Sequence, residues 1–178
     1  MWALVESNSI TKTFNAPKGF TLGDIQYPAS IFTLWSKSEK EAIGLYEIIV
    51  DNTNLKDPTY YINGAESITW DSSAKKVTKA FASATAQDLA TLKKDKKDQI
   101  NGNASSILSP TDWMVIRAQE GGTALPSDIK TKRAAVRTKA NAMCVQIDGA
   151  SDVDALAALY KYNDDTPAVR PLGELPTV

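Results

Sequence analysis

The 178-residue chain contains no histidine and only one cysteine, Cys144. The first absence excludes a Ser-His-Asp or Cys-His catalytic arrangement and any histidine-ligated metal. The second excludes a disulfide within one chain. Charge of one sign is also lacking. Twenty Lys and Arg against twenty-one Asp and Glu give a net charge of −1, whereas a general nucleic-acid binder needs a basic excess to displace counterions. No apolar run approaches the ~20 residues of a membrane-crossing helix. The first residues, Met-Trp-Ala-Leu-Val-Glu-Ser-Asn, lack the basic segment and apolar stretch of a signal peptide. A reducing cytoplasm, or a particle assembled there, is the expected compartment.

What is present divides into two parts near residue 85. The first part suits strands and turns. Residues 2–5 and 10–14 read as strands, and Asn15-Ala16-Pro17-Lys18-Gly19 as a turn. Gly23-Asp24 between residues 20–22 and 25–27 has the form of a two-residue hairpin loop. Ser38 followed by Glu41 is a capping-box pattern, placing a short helix that stops at Gly44. Residues 45–50, Leu-Tyr-Glu-Ile-Ile-Val, give the strongest strand signal. Residues 51–58 are turn chemistry, and 60–62, 67–70 and 77–81 read as a meander. The expectation is a small antiparallel β domain over 1–85 with one face in water.

From residue 86 the spacing becomes helical. Leu89, Leu92, Ile100, Ala104, Ile107 and Leu108 share one side, interrupted by Lys93-Lys94-Asp95-Lys96-Lys97-Asp98. Two aspartates interleave that run and no aromatic accompanies it, so it reads as a solvated face over an incompletely docked stretch rather than a nucleic-acid grip. After Ser109-Pro110-Thr111-Asp112, with Asp112 as cap, a short helix runs from Trp113 to Gln119 and ends at Gly121-Gly122. Pro126-Ser127-Asp128 opens the longest helix, which carries Ile129, Val136, Ala140, Met143, Cys144 and Ile147 and ends at Gly149. Ser151 and Asp154 resemble another capping box, and the region to residue 160 is expected to form a helical bundle or hairpin. Residues 161–178, with three prolines, read as an extended tail bound to a neighbour rather than to the core. The fold class that follows is α+β.

No catalytic constellation emerges. The carboxylates Asp148, Asp152, Asp154, Asp164 and Asp165 fall at helix boundaries and bends, where they suit helix dipoles and turns. Asp51-Asn52-Thr53-Asn54 lacks the glycine and distal glutamate of a calcium loop. Gly121-Gly122 has no following Gly-Lys-Ser/Thr. Cys144 lies on an apolar helix side with no base to activate it. No cofactor is expected.

One cluster stands apart. Arg133 and Arg137 lie one helical turn apart and share a face. Their forked guanidinium groups suit carboxylates such as Asp112 or Glu120, with Trp113 pinning the short helix to the long one. Asp112, Trp113, Arg133 and Arg137 thus form either a structural knot or, with the indole outward, a partner-binding hot spot.

The stretch Leu108-Ser109-Pro110-Thr111-Asp112-Trp113, then Arg117, Glu120-Gly121, Pro126 and Lys132-Arg133-Ala134-Ala135-Val136-Arg137, resembles the C-terminal region of bacteriophage tail proteins. These include tail fibre assembly proteins and related small tail proteins of cyanobacterial and marine phages. The resemblance covers residues 86–160, and the strand-rich first half looks like the N-terminal part of such proteins. Lys132 stands where that helix carries an aromatic. The resemblance implies a non-enzymatic virion protein of the tail, at the baseplate or the fibre attachment point. The alternative it admits is an assembly chaperone that is not retained in the virion. Other tail or fibre proteins would be its partners and a homo-oligomer such as a trimer its state, without nucleic acid or membrane. A glycosidase using carboxylates alone and a carbohydrate-binding module on the first half's aromatics are the competing expectations.

Overall fold

The computed structural model describes residues 1–178. The fold is α+β: a curled, antiparallel-rich sheet followed by helices. The chain divides into two compact units, residues 1–85 and 86–178.

The first unit holds β1 (Trp2–Glu6), β2 (Ser9–Phe14), β3 (Phe20–Leu22), β4 (Ile25–Tyr27), α1 (Ile31–Leu34), α2 (Lys37–Ala42), β5 (Leu45–Asp51), β6 (Tyr61–Ile62), β7 (Glu66–Asp71) and β8 (Lys76–Phe81). Its five-stranded sheet has the order β2-β1-β5-β8-β7. Strand alternation sends Trp2, Leu4, Phe14 and Leu45 to one face. There they meet Phe20 and Tyr27 of the β3–β4 hairpin and Phe32 of α1, with ring centroids 5.0–6.1 Å apart across the cluster. Ala3, Ile48 and Val77 are buried on the other face against Tyr46, Ile68 and Trp70. The Trp70 indole N–H donates to Asn8 Oδ1 at 3.0 Å, tying β7 to the β1–β2 turn and holding the curl.

Three expectations for this unit need correction. The sheet is not wholly antiparallel: β5 and β8 run parallel, Ile48 beside Val77. The connection from β5 carries the chain past the sheet, so that β7 takes the edge and β8 fills the gap between them. The Tyr61–Ile62 strand does not join the meander and pairs instead with β9 (Thr85–Ala86). The capping box at α2 is Ser36 with Glu39, not Ser38 with Glu41. Ser36 is the extended residue before the helix, and its N–H donates to Glu39 at 2.7 Å. Gly44 does end that segment, at φ +78°. A Cβ there would collide with the carbonyl of Val5, whose own N–H donates to Gly44 O at 2.8 Å.

The second unit consists of α3 (Leu89–Leu108), a 3-10 turn (Ser109–Thr111), α4 (Asp112–Gln119), α5 (Ser127–Gly149), α6 (Val153–Ala158) and the following segment. Asp88 caps α3 by accepting from Thr91 N–H at 2.7 Å. Helices α3 and α5 pack together, burying Leu92, Ile100, Ala104, Val136, Ala140, Met143 and Ile147.

Here too the structure departs from expectation. The lysine-rich run does not loosen α3, which continues through it. Lys93 Nζ donates to the carbonyl of Asp148 at 2.9 Å, and Lys97 Nζ pairs with its carboxylate at 2.7 Å. Cations thereby meet the exposed carbonyl end of α5, the favourable sign for a helix C-terminus. Asp152, not Ser151, caps α6, accepting from Ala155 N–H at 2.8 Å. The last residues join the core of their unit. Leu172 is fully buried, its N–H donates to Leu159 O at 3.0 Å, and Lys139 Nζ donates to its carbonyl at 3.1 Å. Leu172 and these two hydrogen bonds, with the Arg170 guanidinium 5.4 Å from the Tyr160 ring centroid, dock a segment whose composition otherwise suits a free tail.

Candidate functional site

The junction of α3, α4 and α5 is built around Arg133. Residues 133, 136, 140, 143 and 147 form the inward stripe of α5. An arginine on that stripe must satisfy its guanidinium within the protein. Arg133 is only 8% exposed. Its NH1 donates to the carbonyl of Leu108 at 2.7 Å and to Thr111 Oγ1 at 2.5 Å, and its NH2 donates to Asp112 Oδ1 at 2.6 Å. Thr111 Oγ1 in turn donates to Leu108 O at 3.0 Å. One planar fork therefore ties the last residue of α3, the 3-10 turn and the first residue of α4 to the second turn of α5.

The four residues singled out from the sequence are not equivalent. Asp112 and Arg133 meet directly. Asp112 is the first residue of α4 rather than its cap, because its carboxylate is turned to Arg133. Arg137 takes no part in the knot: one turn farther along, it is exposed and makes no ion pair, and Glu120 pairs with neither arginine. Trp113 does not pin α4 to α5. It is 53% exposed, with the Arg117 guanidinium 4.8 Å from its ring centroid. The physical reason is that Arg133 already fills the space between the helices with a polar group, leaving no apolar socket for an indole. Ile116, three residues on, is 57% exposed.

Sequence reasoning missed Thr111, the Leu108 carbonyl and Arg117. The carbonyl leaves no trace in a sequence. The Trp113–Arg117 spacing of four residues was a readable signal for a stacked pair on an outward face.

The carboxylates at helix starts and bends are spread over separate structural tasks. The hydrogen bond from Ala155 N–H holds the Asp152 carboxyl below its ordinary range. Hydrogen bonds from Thr91 do the same for Asp88, and from Thr53 for Asp51. Asp165 accepts from Asn163 within the last segment. Cys144 lies 3.9 Å from Asn101 Oδ1, and burial pushes its thiol up, away from the thiolate form. No group of three or more Cys, Asp or Glu side chains is placed to hold a metal ion. The arrangement at α4 can therefore present a shaped surface: Trp113 and Ile116 project from a helix whose base is fixed at three points.

Comparison with protein-family models, curated proteins and solved structures finds no match for the chain.

Proposed function

We propose that the chain is a non-enzymatic bacteriophage tail protein, a structural adaptor at the baseplate or fibre attachment point that acts by docking against other tail or fibre proteins. The observation that carries this reading is the exposed Trp113–Ile116 ridge of α4, mounted on the Arg133 knot. Half-exposed tryptophan is costly to leave in water and is among the commonest anchors of protein interfaces. A fixed mount lowers the ordering cost of binding. The knot and the ridge also fall within the residues that resemble the phage tail family. On this reading the two long helices are a frame for α4.

Mass spectrometry of purified virions tests the proposal. The chain is expected in mature particles at a fixed ratio to a neighbouring tail component. Its absence there, together with abundance in the infected-cell lysate, would overturn the adaptor reading in favour of a chaperone that is released.

A further inference from the structure

We propose that the cleft between α3 and α5 beside the knot is a carboxylate-binding site, and that it receives an acidic side chain of the docked protein. The second clause rests on the adaptor reading; the first does not. The cleft has a volume of about 310 Å³, and Asn101, Ser105, Asp112, Arg137 and Asn141 bring polar groups to it. Its floor is the buried pair Ala104 and Ala140, whose small side chains leave room between the helices.

The donors here are unspent. Arg137 has no ion-pair partner, so its five N–H groups are available. Asn101 receives the Cys144 thiol on its oxygen, which leaves its amide nitrogen as the free end. Ser105 and Asn141 make no side-chain hydrogen bond. Asp112 is the one anion at the edge, and its Oδ1 is held by Arg133. Two guanidinium groups against one carboxylate leave a single positive charge, the complement of one monovalent acid.

That balance selects the ligand class. A carboxylate matches the planar fork of Arg137 with two parallel hydrogen bonds and accepts further donors from the amides. A phosphate dianion would meet the Asp112 charge with only one free cation to compensate it. A nucleic-acid backbone would do so repeatedly. The cleft lies between two packed helices of 20 and 23 residues, so the backbone positions that carry its donors are fixed before a ligand arrives.

The test is a titration of the full-length, isotope-labelled chain with capped glutamate, against inorganic phosphate at equal ionic strength. It is read by NMR at the Arg137 Nε–H and the Asn101 and Asn141 side-chain amides. The expected result is a saturable shift of these signals with glutamate and a weaker response to phosphate. Arg137→Gln should weaken glutamate binding about tenfold or more. Because Arg137 is exposed, the variant's remaining amide spectrum serves as the check on folding. No saturation with glutamate, a response that survives in Arg137→Gln, or tighter binding of phosphate would each overturn the site. The titration needs no partner, so it separates from the virion measurement: particles containing the chain while glutamate fails to bind would sink the cleft proposal alone.

Discussion

Replacing Arg133 with alanine removes its three hydrogen bonds at the knot in one step. The carbonyl of Leu108 and the hydroxyl of Thr111 lose their charged donor. The Leu108 carbonyl keeps the Thr111 hydroxyl as a donor, so the cost is that of losing a charged hydrogen-bond donor in a part-buried site, about 1.5–3 kcal/mol. The aliphatic stem is lost from the α5 stripe as well, adding about 2 kcal/mol at roughly 0.8 kcal/mol per methylene. The Asp112 carboxylate is 53% exposed, so water takes over its solvation and the ion pair itself contributes at most about 1 kcal/mol. The expected cost is about 3–5 kcal/mol for the helical unit, a large share of a typical domain's total stability. Two further variants apportion it. Arg133→Met keeps the stem and should cost about 1–3 kcal/mol; Asp112→Asn should cost less than about 1 kcal/mol. Urea unfolding followed by circular dichroism at the helix band measures all three. A loss below about 0.5 kcal/mol for Arg133→Ala would refute the knot. Equal losses for Arg133→Ala and Asp112→Asn would refute the primacy of the Leu108 and Thr111 contacts.

Three other outcomes follow from the same geometry. Trp113→Ala should cost only about 1–2 kcal/mol in urea unfolding, because half the ring is already in water and only its packing and the Arg117 stack are lost. Leu172→Ala should cost about 2–5 kcal/mol and raise hydrogen exchange in residues 159–178, since the fully buried leucine is what docks that segment. Stability should also depend on pH at both ends. Asp51, Asp71, Asp88 and Asp152 all have carboxyl groups held below their ordinary range by hydrogen bonds. Their contribution is therefore present above the ordinary carboxylate range of about 4 and is lost as pH falls below it. The Lys97 ammonium is pushed up by its hydrogen bond to Asp148, so its contribution is present at neutral pH and is lost as pH rises past about 10. A thermal midpoint that stays level from pH 7 to pH 3 would contradict the acid arm.

Where signals are local, the chain could be read directly. Pro126 and Gly149 bracket α5, Gly23-Asp24 makes the β3–β4 hairpin, and the charge types at 112 and 133 pair. Where two local patterns compete, the neighbours decide. Ser36–Glu39 and Ser38–Glu41 have the same form, and the extended backbone at Ser36 selects the first. Non-local pairing left no comparable mark. The parallel contact of β5 with β8 joins residues about 30 apart, and neither strand's alternation specifies direction. The candidate site was legible in the Asp112–Arg133 pair but not in the place of Arg137 or the orientation of Trp113. With eight residues, α4 gives too few turns to distinguish an inward indole from an outward one. The decision came from Arg133 occupying the interior. Leu172 shows the same limit: one buried leucine outweighs the three prolines and two adjacent aspartates around it, and composition averages it away.

In the proposed adaptor role, α4 offers its outward face to a partner protein. The most direct measurement is the copy number of the Trp113→Ala chain in purified virions, relative to wild type expressed at the same level. Adaptor docking through Trp113 predicts a drop of about tenfold or more, the effect of losing an interface anchor. Equal copy numbers in a variant that remains folded would contradict it.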